Sequence, residues 1–425
     1  MALSGFRDFY PDECAARNAI FSTWRHVARR YGFVEYDGPP LEPLDLFTKK
    51  SGQEIVGQLY NFVDKGEREV ALRPEMTPTL ARMVAARHKD FKKPLKWFSI
   101  PQVYRYERPQ KGRGREHYQF NCDIIGEAGL EADVELIALV IDTLRAFGLT
   151  EKDFVVRLSD RRFWSDFMDA KGVPEEERYA FIQAIDKSER EPREKTAEKL
   201  GPLAEEVFRI LDDAGSARSE RLDTVEAGLR YRGLSDYVKR DYTVVRGLAY
   251  YTGVVFEVFD RSGEFRAIAG GGRYDNLLKN LGGVDLPALG FGMGDVVLGE
   301  LLKATNWKPH SSGIDLFVGI KEGASAPSEY GPALAQFIQK CRENGLSVDY
   351  ALRPGSWKRQ QELAENARAR FFCVIGEAFV SGKAQLRRLD GNTPLGDKTF
   401  EKTFDEIFES LLKFRSGIET SSDAF

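Results

Sequence analysis

The sequence predicts an α+β chain of two or three domains, in which a helical segment interrupts a strand-rich region and a small α/β domain follows. Three observations carry this reading. Two β-rich runs, 95–105 and 118–126, flank an eleven-residue basic segment. Charged, helical texture over roughly 161–238 separates them from a second strand-rich stretch. Beyond about residue 313, strand and helix patterns alternate as in βαβ units. The 425 residues suffice to bury a sizeable core.

Taken in order, Ala15 to Tyr31 carries Ile20, Phe21, Trp24, Val27 and Ala28 at helical spacing, with Gly32 as a stop. Phe33 to Tyr36 reads as a strand that runs into the Pro39-Pro40 break, and Val70 to Pro74 as another short strand. Thr77 to Arg87 reads as a helix with Thr77 as its N-cap. Leu95 to Arg105 and Tyr118 to Gly126 form the arms of a hairpin whose tip is RYERPQKGRGR, residues 105–115. Glu131 to Leu149 is a helix and Phe154 to Leu158 a strand.

After the helical segment, strand chemistry returns at Thr243 to Arg246, Gly253 to Phe259 and Ala267 to Tyr274, the last with a turn at Gly270-Gly271-Gly272. Pro287 to Leu302 is a glycine-interrupted strand followed by a helix, and the polar stretch Thr305 to Gly313 a linker. Strands at Ile314 to Gly319, Ser347 to Leu352 and Phe371 to Gly376 then alternate with helices at Tyr330 to Asn344 and Trp357 to Ala369.

Composition excludes several classes. Sixty-two Lys+Arg against 66 Asp+Glu leave a net charge of −4, so any nucleic-acid partner must be met by local patches. Cys14, Cys122, Cys341 and Cys373 form no CxxC pair, and His26, His88, His117 and His310 no HxxxH or HxH pair. Neither a disulfide framework nor a zinc site is expected, and the cysteines fit a reducing compartment. The opening MALSGFRDFYPDE has no apolar core of a signal peptide, and no run approaches a membrane span. A cytoplasmic protein is expected.

Chemistry concentrates in a few segments. In RYERPQKGRGR, five cations and two glycines surround a single acid. Taken alone, such a loop is more often a solvated surface than an anion clamp. Arg105 and Arg108 begin a strand pair that can aim them, Gly112 and Gly114 permit close backbone approach, and Arg suits bidentate phosphate contacts. Arg73-Pro74-Glu75-Met76-Thr77 sets a carboxylate and a hydroxyl at a strand end, suited to an ammonium group. Arg246 to Gly253, RGLAYYTG, combines an arginine, two glycines and paired tyrosines between strands. Gly270 to Asp275 lacks the Lys-Ser/Thr of a P-loop and the spacing of a dinucleotide fingerprint, so phosphates here would be held by arginines on a sheet.

In this order the segments resemble class II aminoacyl-tRNA synthetases, and within them the histidyl-tRNA synthetase family, over essentially the whole chain. GFRDFYPDE resembles the family's opening segment, and YGFVEYDGPPLEPLDLF its first class motif, a dimer-interface element. LRPEMTPTLAR resembles the amino-acid-binding segment and VYRYERPQKGRGREHYQFNCDIIG the second class motif. VVRGLAYYTGVVFE and AGGGRYDNLL resemble the two histidine-specific motifs, and PALGFGMGDVVL the third class motif.

The resemblance implies a class II synthetase-like antiparallel sheet with flanking helices (residues 1–160 and 239–305), a helical insertion (161–238) and an anticodon-binding-like domain (313–425). It implies that histidine is activated with ATP and transferred to tRNA(His). Arg105 meets the α-phosphate and the histidine carboxylate; Glu107 and Arg113 help hold the bent ATP, with Mg²⁺ on the remaining phosphates. Arg246 is the second catalytic cation. Glu75, Thr77 and Gln119 take the α-ammonium, and Asp123, Tyr251 and Tyr274 the imidazole, with Arg105 and Arg246 completing the histidine site. Arg353, Trp357, Lys358, Arg359, Arg387 and Arg388 are candidate RNA contacts, or simply solubilising charges. The chain departs from the pattern at Ala249, where the family usually has an acid, and at Val297, where the third motif commonly carries an arginine. The rival expectation is the non-catalytic paralogue that regulates ATP phosphoribosyltransferase in histidine biosynthesis, which normally lacks the C-terminal domain.

Overall fold

In the computed structural model, residues 2–51, 53–110, 112–245, 250–309, 313–322, 327–376, 382–389 and 400–415 are described. The chain divides into two compact units, Met1–Pro309 and His310–Phe425.

In the first unit, α1 (Pro11–Arg30) buries Ile20, Trp24, Val27 and Ala28 along one stripe. It begins four residues before the apolar spacing indicated, because Pro11 presets φ and Asp12 and Glu13 favour the positive helix end. β1 (Val34–Glu35), β2 (Leu41–Pro43), α2 (Leu44–Ser51), β3 (Asn61–Val63) and β4 (Glu69–Leu72) follow. β2, β4 and β3 make a separate three-stranded antiparallel sheet. α3 spans Thr77–Arg87, but Met76 rather than Thr77 holds its N-cap position, with no side-chain cap. Proline in the first turn presets the helix instead.

The hairpin is present as β5 (Leu95–Ser99), β6 (Gln102–Tyr104) and β7 (Glu116–Ile125). Its first arm is split at Ile100-Pro101, since proline has no N–H to continue the ladder. Both pieces pair antiparallel with β7. α4 (Glu131–Arg145) carries an unbroken buried run from Leu136 to Ile141. β8 (Phe154–Asp160) leads into the helical segment α5 (Arg161–Ala170), α6 (Glu175–Lys187), α7 (Arg193–Leu200), α8 (Ala204–Asp212) and α9 (Glu220–Tyr231). These helices share one continuous core with the sheet, through Trp164, Phe181, Ile185, Val207, Leu222 and Leu229. The fully buried Asp160 caps α5 by accepting from Arg162 N, and takes Ser219 Oγ and Arg221 Nε at 2.9 Å each. It therefore ties the starts of α5 and α9 together.

β9 (Val238–Arg240) is followed at Thr243 to Val245 not by the expected strand but by a turn and irregular chain. Asp241 Oδ1 accepts from Thr243 N at 3.1 Å and Thr243 Oγ1 at 2.6 Å, a local turn that competes with ladder formation. β10 (Val254–Asp260), β11 (Ala269–Arg273), α10 (Leu277–Gly282), β12 (Ala288–Gly294) and α11 (Asp295–Ala304) complete the unit. Here too the expectation fails at Gly270-Gly271-Gly272, which lies inside β11 rather than at a turn. Crowding is the reason: a Cβ on Gly271 would stand 2.3 Å from Gly290 O, and one on Gly272 2.6 Å from Val254 O.

The main sheet runs β1-β5-β7-β12-β11-β10-β8-β9, with β6 also on β7. Its middle is antiparallel, and β1 and β9 add in parallel at the two edges.

In the second unit, β13 (Leu316–Ile320), α12 (Pro327–Glu343), β14 (Val348–Tyr350), α13 (Trp357–Asn366) and β15 (Phe371–Ile375) form the alternating pattern. β13 pairs in parallel with both other strands. β16 (Lys383–Arg388) and β17 (Phe400–Thr403) extend the sheet antiparallel before α14 (Phe404–Arg415). No helix among the described residues is long and apolar enough to cross a membrane.

Candidate active site

The site is built on β7 and β12. Alternation along β7 turns Phe120, Cys122 and Ile124 into the core and His117, Gln119, Asn121 and Asp123 to the opposite face. Across the ladder, Gly290 faces Asp123, Gly292 faces Asn121 and Gly294 faces Gln119. A Cβ on Gly290 would lie 2.0 Å from Asp123 Oδ1, and one on Gly292 2.6 Å from Gln119 Nε2. The missing side chains are thus what lets Asp123 and Gln119 lie over the sheet.

Above this strip opens a cleft of about 760 Å³. It brings together Glu75, Thr77, Arg105, Arg113, Gln119, Tyr251 and Tyr274, all singled out in the sequence. Thr77 faces the cleft from the first turn of α3. Asp123 is buried at 4% exposure and does not line the cleft; it lies behind Tyr274, whose hydroxyl donates to its Oδ1. Burial, and then the Asp123 carboxylate, push the Tyr274 hydroxyl well above its ordinary pKa, so it stays a donor. Glu107 is likewise absent from the lining and forms an ion pair with Arg113. Arg108 is exposed and not part of the cleft. Arg246 and Ala249 lie outside the described residues.

The basic loop is shaped by its own hydrogen bonds. Arg105 N donates to Arg115 O at 2.9 Å, and Gln110 and Arg113 exchange two backbone bonds of 2.9 Å. The Arg105 side chain is aimed by Nε donating to Pro74 O at 3.1 Å, which links it to the segment carrying Glu75 and Thr77. Arg115 turns away, its Nε on Glu107 O and its guanidinium 4.5 Å over Tyr106. Beneath the loop, Arg7 pairs with Glu116 at 2.7 Å and with Asp295 at 3.0 Å, and Asp295 accepts from Tyr118 N. This network locks the loop's base to β7 and α11. Burial lifts the Asp295 carboxyl above the usual range in spite of Arg7.

Reasoning from sequence missed His117, Asn121, Tyr250, Glu257 and Arg266, which also line the cleft. The period-two face of β7 was a signal for the first two. Burial, reinforced by Arg105, Arg7 and Arg113, drives His117 down to about 3, so it is a neutral imidazole at physiological pH. In the second unit, Arg353, Lys358 and Arg359 are exposed. Trp357 packs edge-on against Phe372 at 5.5 Å, Arg388 lies 4.7 Å over Phe414, and Arg387 reaches Gln361. Trp357 and Arg388 thus serve packing, and Arg387 a side-chain hydrogen bond. Among the described residues, no group of three or more His, Cys, Asp or Glu side chains could hold a metal ion.

Comparisons with known proteins point to one family. A family model described as Histidyl-tRNA synthetase matches residues 5–294. A relative from Opitutus terrae named histidine–tRNA ligase is 45% identical over 417 residues, covering 92% of this chain and 94% of its own. The Arabidopsis thaliana chloroplastic/mitochondrial histidine–tRNA ligase is 40% identical over 385 residues, 86% and 78% of the two chains. The crystal structure of histidyl-tRNA synthetase from Nostoc sp. PCC 7120 matches with a TM-score of 0.80 over 97% of this chain and 99% of that one. At 23% identity that likeness speaks to the fold. Since the model spans the whole site-bearing sheet and both relatives cover most of the chain, the protein belongs to the histidyl-tRNA synthetase family.

Proposed function

We infer that the protein activates L-histidine with ATP and transfers the histidyl group to the 3′ end of its tRNA. The observation that carries this is one cleft holding the arginines of the basic loop beside a polar amino-acid pocket. Histidine's carboxylate attacks the α-phosphorus and pyrophosphate leaves. A tRNA hydroxyl then attacks the acyl carbon of the adenylate and AMP leaves.

Little covalent work falls to the protein, so catalysis is positioning and charge stabilisation. Arg105, fixed on Pro74 O, bridges the α-phosphate and the substrate carboxylate, with Arg246 as the opposing cation. Arg113, oriented by Glu107, holds the outer phosphates. Glu75 and Thr77 take the α-ammonium with Gln119. Tyr274 and Tyr251, with Asp123 behind, read the imidazole. Such a pocket rejects analogues because they leave buried polar groups unpaired.

Mg²⁺ would be held chiefly by the ATP phosphates. With Glu75 engaged by the α-ammonium, Glu257 is the other carboxylate lining the cleft among the described residues, too little for an all-protein cage but suited to an ion that the phosphates would already hold. When bound, it neutralises phosphate charge.

The second unit grips the anticodon region, and the first pairs with a second copy through Tyr31 to Phe47. Exposed Val34 and Leu41 on that segment support the pairing, and a stable monomer in sedimentation at micromolar protein would refute it. The regulatory-paralogue reading is the less supported, since relatives covering most of the chain bear the ligase name. Histidine-dependent ATP–pyrophosphate exchange together with tRNA charging tests the assignment; absence of both would reject it.

A further inference from the structure

One arginine in the cleft has no part in the mechanism above. Arg266 lies in the connection between β10 and β11 and lines the same cleft as Arg105 and Arg113. The chain is anchored on both sides of it. Before it, the buried Asp260 carboxylate accepts from Ser262 Oγ at 2.5 Å, Glu264 N at 3.0 Å and Phe265 N at 3.1 Å. Phe265 itself packs on the main core. After it, the buried Ile268 donates its N–H to Val258 O at 2.8 Å. An exposed side chain between two such anchors is aimed, not merely attached.

Its direction is clear from its contact. Arg266 Nη2 donates to Gln110 Oε1 at 2.6 Å, and Gln110 is the backbone partner of Arg113. Gly112, in the same turn at φ +75, faces Val297: a Cβ there would stand 3.9 Å from Val297 Cγ2. Arg266, Gln110, Arg113 and Val297 therefore gather at one end of the cleft, where Ala267 and Ile268 add apolar lining. Among the described residues, no carboxylate forms an ion pair with Arg266. Along β12, Gly294 is about 13 Å from Gly290, which marks the Asp123–Tyr274 end.

We propose that Arg266 covers the adenine ring of ATP, its planar guanidinium stacked on the ring with Val297 in the wall of the slot, and that Gln110 holds it in place. This rests on the reading of the cleft as an ATP and histidine site. The α-phosphate has its cation in Arg105 and the outer phosphates theirs in Arg113, whereas a delocalised guanidinium beside apolar side chains suits the face of an aromatic ring.

The test titrates the full chain and its Arg266→Ala and Gln110→Ala variants with ATP and, separately, with tripolyphosphate by calorimetry. Arg266→Ala is expected to weaken ATP roughly tenfold while tripolyphosphate binding stays within about twofold. Gln110→Ala removes the tether but keeps the cation, and weakens ATP by only about twofold to threefold. In pyrophosphate exchange, the KM for ATP rises in parallel and that for histidine does not. Unchanged ATP affinity in Arg266→Ala, or an equal loss for tripolyphosphate, would each overturn the proposal. Arg266-dependent ATP binding in a wild-type chain that shows no exchange would instead overturn the synthetase reading and leave Arg266's role standing.

Discussion

Gly290→Ala changes a single hydrogen to a methyl group, and the structure states what that methyl meets. Its Cβ would lie 2.0 Å from Asp123 Oδ1 and 2.8 Å from Asp123 Cγ. To restore even a tight contact of 3.0 Å, the carboxylate must retreat by about 1 Å. The neighbouring backbone offers no relief, because Cys122 O stands 2.9 Å from the same methyl. A carboxylate displaced that far leaves the Tyr274 hydroxyl, and both groups are buried. Leaving a buried polar group unsatisfied costs about 1–3 kcal/mol, and an off-rotamer Asp123 about 0.5–1.5 kcal/mol more. We therefore expect a loss of roughly 2–4 kcal/mol in urea unfolding. Because Tyr274 then faces substrate without its orienting partner, the histidine KM in pyrophosphate exchange should rise about tenfold to a hundredfold, with the ATP KM changed far less. Unaltered stability together with a wild-type histidine KM would refute the argument that glycine is required there to seat Asp123.

Arg246→Ala should lower the exchange kcat by on the order of 10²–10³ with little change in ATP KM, while transfer from preformed histidyl-adenylate suffers less; near-normal exchange would exclude a catalytic role. Depression of His117 from 6.5 to about 3 means the unfolded chain takes a proton below pH 6.5 that the folded chain refuses. Stability is then lost as pH falls from about 6.5 towards 3, by about 1.4 kcal/mol between pH 7.5 and 5.5, and thermal melts of His117→Gln should show that slope reduced. Deletion from Gly313 onward should spare exchange and severely weaken tRNA charging, and the intact chain's RNA affinity should fall steeply with salt; equal loss of both activities would mark the second unit as structural.

What the sequence determined by itself was local and periodic. Helical spacing located α1, although not its start, which proline and two acids moved forward. β-rich composition located β7, while the period-two face that carries His117 and Asn121 went unread. The order of motifs singled out Glu75, Thr77, Arg105, Gln119 and Tyr274 from segments up to two hundred residues apart. Tertiary structure decided what depends on contacts between strands. Gly270-Gly271-Gly272 reads as a turn because glycine is the usual turn residue, yet it is strand: only the packed sheet reveals that Gly290 O and Val254 O occupy the space of its side chains. Asp123 reads as a residue open to a cleft, but the fold buries it behind the Tyr274 hydroxyl. Thr243 to Val245 has strand chemistry, but Asp241 offers its backbone a nearer hydrogen bond. Arg266 belongs to no motif, and its place in the cleft follows from a turn wound around Asp260. Propensity and periodicity are properties of neighbours along the chain; steric exclusion, burial and the aim of a side chain are properties of neighbours in space.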